Sequence, residues 1–124
     1  KTLHRMQSAY GTRGTDVIAC IGPGISLDSF EVGDEVYEAF RTENFPMEYI
    51  SVWKPETHKY HIDLWAANRL QLSDFGVPPR QIENAGICTY RQHEDFFSAR
   101  RLGIKSGRIL SGIMLNRQEK EERK

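Results

Sequence analysis

The run "VIACI" at residues 17–21 constrains the fold most strongly, because it is apolar on both faces. A strand with one wet face alternates apolar and polar residues, and this run has no polar position. It therefore predicts a strand buried in the interior of a sheet, with Cys20 as a small buried hydrophobic residue. The sequence "GPG" at residues 22–24 then ends the strand.

The rest of the chain alternates predicted helices and strands. In order, they are a helix ending at Gly11, a helix beginning near Gly33, a hairpin of "MEYISVWK" and "HKYHI", a helix between Asp63 and Gly76, and the strands "QIENAGI" and "GRILSGIML". This order predicts an α/β (α+β) layered sandwich, a mixed sheet with helices packed on it. Residues 1–115 form the domain, and residues 116–124 form a solvated charged tail.

Two features predict that the chain is an incomplete part of a larger fold. The helix after Asp63 is apolar most of the way round, so we expect a layer on more than one side, supplied in part from outside the chain. In addition, residues 1–10 already have helical periodicity, with Leu3, Met6 and Tyr10 on one face, and no initiator Met precedes them.

The charge and cysteine content exclude several classes of protein. Lys and Arg number 17 and Asp and Glu number 17, so no net field favours nucleic acid or an anionic membrane. No apolar stretch approaches the roughly 20 residues of a membrane helix. Two cysteines do not make a disulfide scaffold, and we expect a cytoplasmic protein.

The segment "GICTYRQHEDFFSARR", residues 86–101, contains the components of a cysteine-nucleophile site in Cys88, His93 and Asp95. Catalytic Cys and His residues are normally brought together by the fold from distant positions. We therefore expect Cys88 to be buried and inert beneath a turn that Phe96 and Phe97 anchor in the core.

A metal site within the chain is not predicted. Structural zinc requires cysteines in close pairs, and Cys20 and Cys88 lie far apart in the sequence. His58 and His61 form an H-x-x-H pattern, but on one strand at this spacing they point to opposite faces and do not share a metal.

Two segments are candidate binding sites. In "IGPGI", residues 22–24 either present backbone N–H groups to an anion or form a tight turn, since the nucleotide-binding glycine motifs are absent. Of Arg100 and Arg101, one is expected to pair with a buried acid and the other to contact a ligand phosphate or carboxylate.

Three motifs together resemble the C-terminal half of the polyphenol oxidase (laccase-domain) family, which is also described as purine nucleoside phosphorylase-like and includes the peptidoglycan editing factor. They are I-G-P-x-I followed by F-E-V-G, the D-L…R-L stretch, and C-T-Y followed by F-F-S-x-R-R. The resemblance implies a cytosolic layered α/β enzyme that carries out phosphorolysis of purine nucleosides and deamination of adenosine. Laccase-like oxidation of phenols is also attributed to the family.

The resemblance also implies a metal, zinc or copper, whose His and Cys ligands lie in N-terminal motifs. None of those motifs occurs here. The expectation is therefore the second half of an enzyme, inactive alone, with its metal ligands in a missing N-terminal half. This half supplies a wall of the substrate pocket, for which we predict Gly22, Pro23, Gly24 and Arg100.

The alternative is a non-catalytic binding or scaffold module that kept the fold without the metal site. The expected partners of the enzyme are a purine nucleoside, phosphate, the missing N-terminal half and, through exposed apolar faces, a second copy of the chain.

Overall fold

A computed structural model describes residues 1–115 of the chain. The helices are α1 (Thr2–Tyr10), α2 (Asp34–Thr42), α3 (Met47–Ile50), α4 (Leu64–Phe75) and α5 (Ala99–Leu102), with 3-10 turns at Gly14–Asp16 and Pro79–Gln81. The strands are β1 (Ala19–Ile21), β2 (Glu31–Val32), β3 (Ser51–Lys54), β4 (Lys59–Ile62) and β5 (Ile82–Asn84).

Two sheets organise these elements. Strands β1 and β5 form a parallel pair, and β2, β4 and β3 form an antiparallel sheet in that order. The predicted hairpin is the β3–β4 ladder, in which Trp53 lies opposite Tyr60. The mixed α/β class, with parallel and antiparallel pairing and helices packed beside the strands, is confirmed.

The antiparallel region has the larger core. Its buried side chains are Val32, Met47, Ile50, Ile62 and Ala67. Helix α2 covers this core with the predicted stripe, because Val36 and Phe40 pack against it while Val32 reaches it from β2. A second, smaller core of Ile21, Val77 and Ile82 lies under the parallel pair.

Helix α4 lies between the two cores, which accounts for its apolar pattern. Its residues Leu64, Ala66 and Leu70 pack against the antiparallel core, and Trp65, Leu72 and Phe75 pack against the parallel one. The prediction of cover on more than one side is confirmed, and much of that cover comes from within the chain.

The predicted ends of α4 are also confirmed. The Asp63 side chain accepts a hydrogen bond from the backbone N–H of Ala66 at 3.0 Å. Gly76 ends the helix in the left-handed region, at φ 103°.

Three local expectations were wrong. Among residues 1–115, β1 pairs with β5 alone, and Ile18 and Cys20 are exposed, so the strand buries one face and Cys20 is not in the core. Residues 47–50 form a helical turn after Pro46, because this places both Met47 and Ile50 in the core; the strand begins only at Ser51.

The third error is the predicted strand at residues 107–115, which has no regular secondary structure. A strand needs a partner for its backbone groups, and no strand of residues 1–115 pairs with this segment. Its apolar side chains are exposed, and Leu110 reaches 97%. The predicted tail at 116–124 lies outside the described residues. None of the helices in the described part of the chain has the length and apolarity needed to cross a bilayer.

Candidate functional site

The loop at residues 22–24 extends the parallel pairing and joins the two candidate segments. Gly24 donates its N–H to the carbonyl of Ile87 at 3.1 Å, and its carbonyl accepts the N–H of Thr89 at 3.1 Å. The chain after β1 therefore lies beside the chain after β5, and the glycine loop reaches the start of "CTY". Because Pro23 has no N–H and Gly24 uses its own, these two residues offer a ligand their surface rather than a backbone donor.

The glycines of this loop are not required by backbone conformation. Neither Gly22 nor Gly24 has a positive φ, so the tight-turn alternative with left-handed glycine is wrong. A Cβ at Gly24 would come no closer than 3.5 Å to Trp65 Nε1, and one at Gly22 no closer than 3.8 Å to Ser111 Oγ, both ordinary contacts. Packing among residues 1–115 therefore does not demand glycine here either.

Arg100 lies on α5 with its guanidinium held in one direction. Its Nη1 donates to the carbonyl of Glu31 at 2.6 Å, and its central carbon lies 5.2 Å from the centre of the Phe30 ring. Arg101 lies over the Tyr90 ring at 4.9 Å. In the described ranges neither arginine has a carboxylate within 4.0 Å, so the expected pairing with a buried acid was wrong.

An open cavity of about 300 Å³ lies between these segments. Its lining includes Ile25, Phe30, Thr89, Phe97, Ser98 and Arg100. The fold thus brings Arg100 to the residues that follow Gly24 and Cys88. Thr89 belongs to the C-T-Y motif, but the sequence assigned it no role, and the burial of its side chain beside the cavity identifies it.

A larger hollow of about 620 Å³ lies on the antiparallel region, lined by residues 43–46, 70, 71 and 74. None of the predicted site residues lines it. Its charged groups are the carboxylates of Glu43 and Asp74, which repel phosphate. The smaller cavity is therefore the better candidate for the binding site predicted from the sequence.

Cys88 is buried, as expected, but its environment is not inert. Its Sγ accepts the backbone N–H of Ser26 at 3.3 Å and lies 3.7 Å from the Ser29 hydroxyl. Burial opposes ionisation, but hydrogen bonds from Ser26, the Arg91 backbone and Ser29 outweigh it and lower the pKa of the thiol to about 7.

The suspected catalytic set does not assemble. The Cys88 thiol is bonded by Ser26, Ser29 and the Arg91 backbone, and among residues 1–115 neither His93 nor Asp95 bonds to it. Phe96 is half-buried, but Phe97 is 55% exposed, so its expected role as a core anchor was wrong; its ring packs beside Gly107 instead.

The described residues do not fit a copper or zinc centre. His61 is buried with Nδ1 2.9 Å from the Leu27 carbonyl, and its Nε2 is 3.9 Å from the Glu31 carboxylate. His58 lies in the turn before β4 rather than on the strand. Within residues 1–115 no group of three His, Cys, Asp or Glu side chains is placed to hold a metal ion.

Two relatives of this chain are named as enzymes of nucleoside chemistry. This chain is 66% identical over 116 residues to a purine nucleoside phosphorylase of Bacteroides thetaiotaomicron. The aligned region covers 94% of this chain and 43% of the relative. The chain is also 53% identical over 95 residues to an adenosine deaminase from an unknown prokaryotic organism. That aligned region covers 77% of this chain and 36% of the relative. The chain thus spans less than half the length of these relatives.

Solved structures with a similar fold cover the same part of the chain. YlmD from Geobacillus stearothermophilus matches with a TM-score of 0.67 at 33% identity, over 81% of this chain and 37% of that one. The hypothetical protein YfiH of Bacillus licheniformis matches with a TM-score of 0.70 at 27% identity, over 81% and 38%. Residues 1–116 match the family described as multi-copper polyphenol oxidoreductase laccase, and the chain belongs to that family.

Proposed function

We propose that this chain is the C-terminal part of a cytoplasmic purine nucleoside enzyme that catalyses phosphorolysis of adenosine and inosine and deamination of adenosine. The observation that carries the proposal is the 66% identity to a relative named purine nucleoside phosphorylase. The relative named adenosine deaminase supports the second reaction. Phenol oxidation, which the family description suggests, has no such support from these two relatives.

The role proposed for this part is one wall of the substrate pocket, formed by Gly22, Pro23, Gly24 and Arg100. Glycine at 22 and 24 is required neither by φ nor by packing within residues 1–115. A bare backbone allows the close approach of a ligand, and this is the role proposed for the two glycines. Arg100 lines the cavity that begins at Ile25, next to this loop. Among the described residues its N–H groups are free of carboxylates, and it is proposed to contact phosphate.

The metal, zinc or copper, is proposed to be held by residues outside this chain. The expected result is that the full-length protein with Cys88→Ser retains the metal content of the wild type, measured by elemental analysis. A loss of the metal in this variant would contradict the proposal, because Cys88 would then be a ligand.

The direct test supplies adenosine and inosine, with and without phosphate, to the purified full-length protein. We expect ribose 1-phosphate and the free base when phosphate is present, and inosine from adenosine when it is absent. If neither product forms, the enzyme hypothesis fails and the non-catalytic binding module is favoured.

Gly24→Ala tests the pocket wall. We expect a several-fold rise in the KM for nucleoside with an unchanged free energy of unfolding, because the added methyl group has room within this chain but enters the ligand's space. The matched control is Gly112→Ala, where an added Cβ meets no atom within 4 Å in the described part of the chain. Equal KM values in both variants would remove Gly24 from the wall.

A further inference from the structure

The Arg100 guanidinium carries a charge that its own surroundings do not neutralise. Arg100 contacts an acidic residue, Glu31, but it bonds to the backbone carbonyl of Glu31 and not to the carboxylate. That carboxylate is directed to Lys59, 3.6 Å from its Nζ, and to His61, 3.9 Å from its Nε2. The positive charge at the cavity is therefore available to an anionic ligand.

Thr89 adds a second polar group to the same cavity. The residue is only 7% exposed, and its backbone N–H is occupied by the Gly24 carbonyl. Within residues 1–115 its hydroxyl makes no side-chain hydrogen bond, unlike that of Ser98, which accepts the N–H of Arg101 at 3.3 Å. This hydroxyl can therefore donate a hydrogen bond to an acceptor bound in the cavity.

The walls around these two groups are apolar. Ile25, Phe30 and Phe97 line the cavity beside them, and the ring of Phe30 also supports the guanidinium from one face. An arginine guanidinium forms charge-assisted hydrogen bonds with the oxygens of an anion. A cation, a hydroxyl donor and apolar walls together suit a small oxyanion with several acceptor oxygens.

We infer that the Thr89 hydroxyl and the Arg100 guanidinium hold the inorganic phosphate that attacks the nucleoside. This inference rests on the proposed function and adds Thr89 to its site. In the reaction, a phosphate oxygen forms a bond to C1′ of the ribose and the C1′–N9 bond breaks. The electron pair of the broken C1′–N9 bond passes to the purine, which takes up a proton. The products are ribose 1-phosphate and the free base.

The test uses the full-length protein and compares its two reactions, because phosphorolysis consumes phosphate and deamination consumes water. Arg100→Gln is expected to raise the KM for phosphate about tenfold to a hundredfold, as the loss of a charged hydrogen-bond donor predicts. Thr89→Val, of similar shape, is expected to raise it about twofold to tenfold. In both variants the KM for phosphate should rise by a larger factor than the kcat/KM for adenosine deamination falls, because only phosphorolysis uses phosphate.

The matched control is Arg91→Gln, which removes an exposed arginine of the same segment that pairs with Asp28 at 3.0 Å. Its KM for phosphate should not change. An unchanged KM in both Arg100→Gln and Thr89→Val overturns the inference, and so does a parallel loss of phosphorolysis and deamination, which would indicate a structural role.

A binding measurement separates failure of the proposed function from failure of this inference. If the wild type turns over no nucleoside, binding of inorganic phosphate is measured by calorimetry in the wild type and the two variants. Weaker binding in both variants then supports the phosphate site without the reaction, whereas equal or absent binding in all three proteins overturns it.

Discussion

The antiparallel region and the parallel region bury their side chains to different degrees. In the first, β2, β3 and β4 with α2 and α3 enclose Ile50 and Ile62 completely, both at 0% exposure. In the second, β1 and β5 enclose a smaller core and leave Ile18 at 72% exposure. The proposed phosphate cavity lies between elements of both regions, at the carboxyl-terminal ends of β1 and β5, where the less enclosed region leaves space.

This difference indicates a division of roles. The well-packed core holds Glu31 on β2 and Phe30 in the loop before it. These two residues direct the Arg100 side chain. The parallel pair brings Gly24 and Thr89 together through backbone hydrogen bonds. Stability is thus expected to depend mainly on the antiparallel region, and ligand binding on the segments after β1 and β5.

The largest expected effect tests the difference in packing. Ile62→Ala should lower the free energy of unfolding by about 4 kcal/mol, because the removed side chain leaves a cavity in a fully enclosed core. The matched variant Ile82→Ala, in the parallel core, should lower it by about 2 kcal/mol, since the surrounding cluster is smaller and collapses more easily. Chemical denaturation measures both, and equal losses would show that the two regions are packed alike.

The next effect concerns the contact between the first 3-10 turn and the end of α4. Gly14→Ala should cost about 2 to 3 kcal/mol, because a Cβ at Gly14 would lie 2.2 Å from the carbonyl carbon of Gly76, and backbone cannot move aside cheaply. Thr15→Ala, at an exposed position of the same turn, is the control, with an expected change within about 0.5 kcal/mol. Thermal or urea unfolding distinguishes them, and a tolerated Gly14→Ala would mean that this end of the parallel region is loosely packed.

A third prediction concerns the pH dependence that Cys88 gives the parallel region. The pKa of the Cys88 thiol in the folded protein, about 7, is below the ordinary thiol pKa of about 8.5. Ionisation of the thiol therefore stabilises the fold fully at pH values above about 8.5, and this stabilisation is lost as the pH falls through about 7. The stability of the wild type relative to Cys88→Ala should therefore rise by up to roughly 2 kcal/mol across this range. Denaturation at several pH values measures it.

Ser29→Ala is the matched variant for this pH experiment. It removes the hydroxyl that lies 3.7 Å from Sγ and helps to lower the pKa of the Cys88 thiol, and it keeps the Ser26 backbone N–H that bonds to Sγ. The rise with pH should become smaller in this variant. A pH dependence that is absent in the wild type would show that the serines do not hold a thiolate.

The smallest effect tests the helix that the two regions share. Asp63→Ala should cost about 1 kcal/mol, because the N–H of Ala66 loses its side-chain acceptor. Asp63→Ser keeps a capping oxygen and should recover most of the loss. If Asp63→Ala is neutral in unfolding experiments, packing of α4 against both cores alone determines where the helix begins.

The local signals in the sequence predicted much of the fold. Asp63 and Gly76 gave the correct ends of α4, and the β3–β4 hairpin and β5 were found from their alternation and flanking turns. The errors occurred where a segment depends on partners far away in the chain. "VIACI" and "GRILSGIML" have the composition of buried strands, but among residues 1–115 the first is covered on one face and the second has no partner strand.

For the candidate site, the sequence by itself determined the types of residue, and the tertiary structure decided which of them meet. The motifs singled out Gly22, Pro23, Gly24 and Arg100, and the nearby thiol, imidazole and carboxylate suggested a false catalytic set. Only the parallel pairing, which brings Gly24 to Thr89, and the Glu31 carbonyl, which directs Arg100, define the cavity. The physical reason is that helix caps and turns depend on neighbours within a few residues, whereas a site depends on contacts between residues more than sixty positions apart.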